Sequence, residues 1–509
     1  MKCVKVFCGV PVLLALWASG CVEVIQRPPR SIAEYQGSGQ VYPTQTVVLH
    51  NLQRAMDRDL SPTERVNSLQ LVAHVGSGDP SVLGQLATVL SEADAPSDLR
   101  RSALELLLKN DYPGLAAHVV KVLPFLSQQS ALREAALEWL GRHPEPEALA
   151  EVIKLWAQER SPDGPNDDRF RQIVQRMSGK PWDDALLEGL NRPEFFARGS
   201  AMEILSRRLS ESTLRPRISA LPARTEAVST LQAFLEKFDY MPVNGTEFLA
   251  SVLIYKTQEG LLDDAAKLNS KWRADYGYKF NIRDFHLLSR MAGDPLRTDL
   301  RRTQLILELA QAFVKREHPP YRRRTGGLQP QRDNFQKQAE NLSMSDLWNL
   351  YLLDVMLSRP RMQIALRVMA ERDREDRASA WGGLVFYKNG QAEPKLYPPS
   401  TEAGENDLVY VPSALAVRHG RDALCRFYAH FDQADNVARA GPGAEELRDA
   451  AMNNYYALVL TSINENTFCA HYCNPEGTVV SLGAFAFGRY SDEAAPPPSP
   501  EAGASRARE

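Results

Sequence analysis

The chain has 509 residues, of which 44% are hydrophobic, and its 60 Lys and Arg residues are nearly balanced by 63 Asp and Glu residues. This length indicates about two to four domains, and the apolar fraction is that of an ordinary globular protein. A formal net charge of −3 argues against a nucleic-acid-binding protein, so we expect no nucleic-acid partner.

The first residues have the parts of a signal peptide. Lys2 and Lys5 precede an apolar stretch at residues 6–17, and small residues follow at positions 18–20. The apolar stretch is too short to span a bilayer comfortably. We therefore predict that residues 1–20 are a signal peptide and that the protein is exported.

Cys21 follows these small residues directly, and the junction resembles the bacterial lipobox, with Ala18 where Leu is usual. The resemblance implies that Cys21 is diacylated and becomes the mature N-terminus. Val22 stands where Asp would retain a lipoprotein in the inner membrane, so the resemblance implies the outer membrane. The alternative is an ordinary secretory cleavage nearby. Residues 21–44, which are polar with scattered Pro and Gly, are predicted to be a tether.

An internal repeat begins near residue 45. Its copies share Arg, a small residue, an apolar residue and Glu in the same order: Arg100, Ala103, Leu104 and Glu105; Arg133, Ala136, Leu137 and Glu138; Arg198, Ala201, Met202 and Glu203. A fainter copy begins at Arg65, and there is room for a divergent copy at residues 169–177. A second amphipathic helix with Pro near its start, as at Pro80 and Pro146, lies between copies; Pro is tolerated in a first helical turn.

Paired helices that recur about every 35 residues bury their apolar faces by stacking, which predicts an all-α solenoid. The pattern resembles short HEAT-type repeats over residues 45–221. We expect Leu104 and Leu137 to be buried. We expect the Arg and Glu of each copy to form a solvated ladder between repeats rather than catalytic groups. A solenoid presents extended surfaces, so a protein partner is expected there.

Residues 222–377 are predicted to form a further helical region without the repeat. A loop is predicted at residues 316–332, which contain three consecutive Arg residues; these either contact anionic headgroups or a partner, or are simply exposed. Helices are predicted at residues 344–357 and 361–372, with a break at Pro360.

Residues 378–490 are predicted to form an α+β domain, because the apolar period changes at Trp381. Strands are predicted at residues 382–387, 396–397, 408–411, 424–427, 455–462, 467–473 and 478–487, and helices at residues 412–421 and 444–453. Residues 491–509, rich in Pro, Ala, Ser and Glu, are predicted to be a disordered tail.

A candidate site lies at the end of one predicted strand. Tyr428, His430 and Asp432 alternate and would share a face. After a loop, Gly441, Pro442 and Gly443 open a helix with Glu446 in its first turn. Ligands at a strand end, facing a carboxylate at a helix N-terminus, are one way to build a zinc site.

This order of elements resembles the JAB/MPN (JAMM) metalloprotease fold over residues 380–487. That resemblance implies a zinc ion held by an H-x-H pair and an Asp, with a Glu base on an early strand. Here His430 and Asp432 stand at the H-x-H positions, or Tyr428 and His430 in a register shifted by two. Glu446 stands at the Asp position. Where the base is expected the chain has Ser379 and Ala380, and the acidic residues at 375 and 376 are interpreted as a charged helix end.

We therefore predict an exported, lipid-anchored scaffold or binding protein of the bacterial cell envelope, with no catalytic residues and no required cofactor. The alternative is a metal-dependent peptidase or isopeptidase with the ion held by His430, Asp432 and Glu446. The ion would be zinc in the family's chemistry, although oxygen ligands favour Mn²⁺ or Ca²⁺. A third interpretation makes the last domain purely structural. In each case a shared fold would place His430 close to Glu446.

Three cysteines remain after the signal peptide and Cys21 are set aside: Cys425, Cys469 and Cys473. An odd number in an exported protein indicates one disulfide and one thiol, or metal ligation. Cys469, His471 and Cys473 would share a strand face, which is crowded for one tetrahedral ion. A disulfide from Cys425 to one of the others is the alternative, and a buried strand Cys is favoured over a nucleophile paired with His430.

Overall fold

The structure is a computed structural model that describes residues 27–38, 42–76, 79–91, 95, 97–112, 114–126, 131–159, 166–293, 300–319, 334–375, 381–388, 390–397, 410 and 412–489. Within these residues there are 21 α-helices and a C-terminal six-stranded mixed sheet. The chain divides into two compact units, Met1–Ala185 and Leu186–Glu509. The predicted signal peptide, Cys21 and the tail at residues 491–509 lie outside the described residues.

The first unit is helical. Its helices are α1 (Ile32–Gly37), α2 (Thr44–Met56), α3 (Pro62–Val75), α4 (Pro80–Ser91), α5 (Ser97–Lys109), α6 (Ala116–Val122), α7 (Ala131–Arg142), α8 (Leu149–Gln158), α9 (Asp167–Ser178) and the start of α10 (Trp182–Leu190). Capping residues and prolines determine where several of these helices begin. Ser61 and Glu64 form a reciprocal capping box around Pro62 at the head of α3, and α4 begins at Pro80, as the sequence predicts.

Alternate helices of this unit pack side by side. One row contains α3, α5, α7 and α9, and a second row contains α4, α6 and α8. The small residues Ala103 and Ala136 are fully buried where the helices approach one another, and the predicted burial of Leu104 and Leu137 is confirmed. A small side chain at this position lets neighbouring helices come close enough to bury the adjacent Leu.

The repeated Arg is not part of a solvated ladder, so that expectation is wrong for the copies at Arg65 and Arg133. Both side chains are buried. Arg65 Nε donates to Ala55 O at 2.9 Å, and Arg133 Nη1 donates to Leu123 O at 2.7 Å. The reason is that the last carbonyls of a helix have no partner within that helix, and a guanidinium supplies donors to them. The corresponding Glu residues at 105 and 138 are exposed, as expected.

The second unit contains the remaining helices and all strands. The helices are α11 (Arg198–Arg208), α12 (Glu211–Ala220), α13 (Glu226–Phe238), α14 (Gly245–Tyr276), α15 (Phe285–Met291), α16 (Arg302–Val314), α17 (Phe335–Gln338), α18 (Met344–Leu357), α19 (Pro360–Glu375), α20 (Ala414–His419) and α21 (Ala444–Asn453). The strands are β1 (Trp381–Lys388), β2 (Gln391–Tyr397), β3 (Cys425–His430), β4 (Ala457–Asn464), β5 (Thr467–Cys473) and β6 (Val479–Ala486).

The sheet has the order β2-β1-β3-β4-β5-β6. Strands β3 and β4 are parallel and every other neighbouring pair is antiparallel. A parallel pair needs a crossover connection, and here α21 supplies it, since it lies between β3 and β4 in the chain. The crossover brings the end of β3 and the first turn of α21 to the same edge of the sheet.

The two faces of the sheet have different surroundings. On one, the core face, Phe427 and Phe468 belong to a single large hydrophobic core with Trp272 of α14 and Trp348 of α18. On the other, the α21 face, Tyr428, Val459 and Cys473 form a small cluster with Tyr410 and Ala450. The core face therefore carries most of the apolar burial of this unit.

The two compact units are larger than the predicted domains, whose bounds stay predictions. The helical region expected at residues 222–377 and the α+β region expected at 378–490 share one core and form one compact unit. The division between the two units falls within α10, at residues 185–186. Buried residues of the helices, such as Trp272 and Trp348, pack in the same core as strand residues such as Phe427 and Phe468.

The segment expected to be a tether is partly folded. It contains α1, whose first turn is capped by Ser31, and Pro29 O accepts a hydrogen bond of 2.9 Å from the buried Asn51 side chain of α2. Helical structure is thus present from Ile32, before residue 45, where the sequence placed the first repeat.

The predicted loop at residues 316–332 starts as a segment bound to the sheet. Glu317 O accepts from Ala484 N at 2.8 Å, and Arg316 pairs with Asp354 and donates to Leu482 O at 3.1 Å. The three consecutive Arg residues lie outside the described residues. Of the strand predicted at residues 408–411 only Tyr410 is described, and it is not in a strand.

Candidate functional site

The candidate site is built on β3. Arg426, Tyr428 and His430 alternate along this strand and share the α21 face, because successive strand residues point to opposite sides. His430 is the last residue of β3 and is buried. The strand therefore ends by presenting an imidazole toward the first turn of α21.

His430 and Glu446 lie together, as we expected. His430 Nε2 is 3.3 Å from Glu446 Oε1, and Glu446 Oε2 accepts from Gly443 N at 2.9 Å as part of the cap of α21. Burial alone would raise the pKa of Glu446, but its hydrogen bond and electrostatic interaction with His430 hold that pKa below its ordinary value. Glu446 is therefore a carboxylate at neutral pH with both oxygens engaged.

Asp432 joins the same group of residues through an arginine. Arg439 Nη1 donates to Asp432 Oδ1 at 3.0 Å, and Arg439 Nη2 lies 3.3 Å from His430 Nδ1. Asn436 Nδ2 donates to the same Asp432 oxygen at 2.7 Å. The structure thus collects His430, Asp432 and Glu446 in one cluster, with the guanidinium of Arg439 between the first two.

The arginine fixes the proton of the imidazole. A guanidinium can only donate, so His430 Nδ1 must accept from Arg439. The proton of a neutral imidazole is then on Nε2, where it is donated to Glu446. Neither ring nitrogen has a lone pair left for a metal ion in this arrangement.

These residues do not fit the zinc ion that the JAB/MPN resemblance implies. Zinc in such a site takes three protein ligands and keeps an open position. Here Arg439 contacts both His430 and Asp432, and Asn436 also donates to Asp432. Glu446 accepts from Gly443 N and contacts His430. More broadly, no group of three or more His, Cys, Asp or Glu side chains that could hold a metal ion occurs in the described part of the chain.

A second polar cluster, which the sequence did not reveal, lies next to the first. Asp449, one turn after Glu446 on α21, accepts at Oδ2 from Arg426 at 2.9 Å, from Tyr428 at 2.8 Å and from Tyr455. The Arg426 guanidinium also lies 4.0 Å from the centre of the Tyr455 ring. Tyr428 therefore belongs to this cluster and not to a shifted H-x-H pair.

The Cys and His residues of β5 are structural. Cys469, His471 and Cys473 are buried on one strand face, as predicted. Burial, together with the charge of His318, lowers the pKa of His471 to about 4, and burial raises the pKa of Cys469 to about 12. Protonated thiols and a neutral imidazole fit a packed interior rather than a nucleophile.

The structure does not support the disulfide alternative. Cys425, Cys469 and Cys473 are all present as thiols. Cys425 packs in the large core and Cys473 in the small cluster under α21, so the two side chains point to opposite faces of the sheet. Burial also raises the pKa of Cys425, which fits the buried strand cysteine that the sequence favoured.

The sequence also missed two buried carboxylates. Asp284 accepts hydrogen bonds from Tyr278 and Tyr456, each at 2.6 Å, and Asp346 accepts from Tyr472 at 2.7 Å. Burial raises the pKa of Asp284. These hydrogen bonds join the segments around α15 and α18 to those of β4 and β5. Because both carboxylates have hydrogen-bond donors, we interpret Asp284 and Asp346 as structural residues.

In the described part of the chain, no helix combines the length and apolar character that crossing a membrane requires. No protein-family model matches this chain, and comparison with curated proteins and with solved structures likewise gives no match.

Proposed function

We propose that this chain is an exported, lipid-anchored scaffold or binding protein of the bacterial outer membrane, and that its C-terminal part is a JAB/MPN-like fold without hydrolytic activity. The observation that carries the proposal is the position of Arg439. A hydrolytic zinc site needs ligands with free lone pairs and a nearby base. Arg439 instead uses the lone pair of His430 Nδ1 and an oxygen of Asp432.

The family resemblance is supported by one geometric feature. A strand end, a loop and the first turn of a helix bring His430 and Glu446 within 3.3 Å, as the H-x-H and P-S-x-x-D motifs would. The binding role is supported by the first unit. Its two rows of helices and its buried small residues are what a HEAT-like stack requires, and such stacks use their extended surfaces to bind proteins.

Metal analysis of the purified full-length chain tests the proposal. We expect much less than one zinc per chain in the wild type. Arg439→Ala should release His430 Nδ1, remove the positive charge beside Asp432 and leave Asn436 as the donor to Asp432 Oδ1. We expect it to tighten zinc binding by at least about tenfold, since an imidazole and two carboxylates then converge. Arg448→Ala removes an exposed Arg from α21 and serves as the matched control. Stoichiometric zinc in the wild type, lost on His430→Ala, would overturn the proposal.

The second candidate, a metal-dependent peptidase or isopeptidase, is favoured by the same contact between His430 and Glu446. It requires Arg439 to move away from His430 when a metal ion and a substrate bind. Cleavage of a peptide or isopeptide by the wild type in the presence of Zn²⁺ or Mn²⁺, abolished by His430→Ala and by Glu446→Ala, would establish it.

The membrane anchor has its own test. Replacing Cys21 by Ser should release the protein from the membrane fraction, because a diacylated Cys is the attachment point. If Cys21→Ser stays in that fraction with unchanged mobility on a denaturing gel, the anchor is absent. Ordinary secretory cleavage would then be the better explanation of the N-terminal sequence.

A further inference from the structure

We propose that the second unit binds a second copy of itself through an exposed apolar surface formed by Phe196, Val243, Leu249 and Leu253, which we call the α11–α14 patch. This contact would make the chain a weak, reversible homodimer. It goes beyond the proposed function and depends neither on the lipid anchor nor on the JAB/MPN resemblance.

Four large apolar side chains of the second unit lie in water. Phe196 is 86% exposed and Val243 is 64% exposed. Leu249 and Leu253, one turn apart on α14, are 49% and 37% exposed. Single exposed apolar residues are ordinary on protein surfaces, whereas a contiguous group of them marks an interaction site. The meaning of these four residues therefore depends on whether they adjoin one another.

Close contact between the first turns of α11 and α14 brings the four residues together. A side chain at Gly245 would collide with Gly199 O, and one at Gly199 would lie 3.3 Å from Leu249 Cδ1. The two glycines thus let the backbones of the helices touch. Phe196 lies two residues before α11 and Val243 two residues before α14, so both flank this contact. The exposed apolar side chains therefore form one surface.

The turn that carries Phe196 is held in place by hydrogen bonds. Arg198 Nη2 donates to Arg192 O and to Pro193 O, each at 2.6 Å. Phe195 N also donates to Arg192 O, at 3.2 Å, and the Phe195 ring packs against α10 while the Phe196 ring stays outside. A side chain on a fixed turn loses little conformational freedom when it docks, and aromatic residues are enriched in protein interfaces. Phe196 is thus suited to anchor the contact.

The area of the patch fits a weak homodimer. Burial removes on the order of 100 Å² of surface for an aliphatic side chain and 200 Å² for Phe, so the exposures leave roughly 300 Å² of apolar surface in water. Because homodimer interfaces are about 65% apolar, the contact would bury roughly 500 Å² per chain. A total of roughly 1,000 Å² lies at the lower end of specific interfaces, where association is weak and reversible.

The charges beside the patch favour a second copy over a strongly charged partner. Arg192 pairs with Glu188 next to the turn. Lys256, about one turn after Leu253, lies 4.0 Å from Glu226. Because each of these cations has an acidic neighbour, the rim neither attracts a partner of one sign nor repels an identical surface. In a twofold contact the same patch supplies both sides, so a neutral apolar patch is self-complementary.

Sedimentation of the full-length Cys21→Ser chain, in which no lipid can contribute to association, tests the inference. Between about 1 and 100 µM the mass should rise from that of one chain toward that of two. Phe196→Ser should raise the dissociation constant at least about tenfold, because it removes the anchor, and Leu249→Ser should raise it less. Leu307→Ser, at a Leu of α16 that is 58% exposed, is the matched control and should leave the constant unchanged.

Hydroxyl-radical footprinting of the same samples locates the contact. Modification of Phe196 and Leu249 should fall as the concentration rises, while that of Leu307 stays constant. Circular dichroism should show every variant folded, because all three side chains are exposed. Three outcomes would overturn the inference: a monomer at every concentration, a dimer whose dissociation constant Phe196→Ser leaves unchanged, or protection from modification that appears elsewhere and not at Phe196.

Discussion

The two faces of the C-terminal sheet are both buried, but different forces stabilise them. The core face packs Phe427, Leu460 and Phe468 against helices of the same unit in one large hydrophobic core. The α21 face is covered by helix α21, and Ala450 is the only apolar residue of that helix that is fully buried in the described structure, with Leu447 partly buried. Burial of an Ala and part of a Leu supplies little hydrophobic free energy.

The position of α21 is therefore specified by its carboxylates. Glu446 and Asp449 lie one turn apart and contact His430 and Arg426, which are four residues apart on β3. Buried ion pairs such as Arg426–Asp449, and buried hydrogen bonds to a carboxylate such as that of His430, add modest net stability, but they penalise any register in which a charge or donor loses its partner. The comparison teaches that apolar burial stabilises this unit while the polar pairs determine where its crossover helix lies.

The largest effect is expected on the core face. Phe468→Ala should lower the free energy of unfolding of the second unit by about 3–5 kcal/mol, since it leaves a large cavity in a fully packed core. Protection of β4 and β5 amides in native-state hydrogen exchange measures this without assuming that the whole chain unfolds in one step. Val314→Ala, at a residue that is 69% exposed, is the control. A loss below about 1 kcal/mol would mean that this face is loosely packed.

A smaller and more local effect is expected on the α21 face. Glu446→Ala should cost about 1–3 kcal/mol, because it leaves His430 Nε2 and Gly443 N without their acceptor. Amide hydrogen exchange at residues 444–453 should become faster, while the amides of β5 should stay protected from exchange. Glu445→Ala, at the exposed neighbour on the same turn, should change neither. Equal destabilisation of both regions would show that the two faces do not differ as we argue.

The core face also contains polar groups, and Tyr472→Phe measures what one of their hydrogen bonds contributes to the free energy of unfolding. We expect a cost of about 1–2 kcal/mol, because Asp346 loses the 2.7 Å hydrogen bond from Tyr472 but keeps Asn474 as a donor at 3.2 Å. Thermal or urea unfolding followed by near-ultraviolet circular dichroism reports the change. A cost as large as that of Phe468→Ala would make polar contacts the dominant force on both faces.

The smallest effect is the pH dependence of Glu446. Its pKa is lower in the folded protein than in the unfolded chain, so its ionised form contributes stability above the unfolded pKa of about 4.3. That contribution is lost as the pH falls through the lower, folded value. The difference in stability between the wild type and Glu446→Gln should therefore be constant near neutral pH and shrink below about pH 4.3. A difference that stays constant under acid conditions would contradict the lowered pKa.

The amino-acid sequence determined the local elements. The bounds predicted for α18, α21 and β5 agree with the structure at both ends, because hydrophobic periodicity, capping residues and turn residues act within a few positions. The burial of Leu104 and Leu137 also followed from the repeat. The proximity of His430 and Glu446 was expected from the resemblance to the JAB/MPN fold, and the structure places the two side chains 3.3 Å apart.

Only the tertiary structure decided how these elements are used. Nothing in the spacing around Arg439 distinguishes it from other loop residues, yet its contacts with His430 and Asp432 turn the predicted ligand set into a closed hydrogen-bonded network. The burial of Arg65 and Arg133 depends on carbonyls ten residues earlier in the chain, and the shared core of helices and sheet depends on contacts more distant still. Such contacts are fixed by the packing of whole elements, and no local pattern of residue types encodes them.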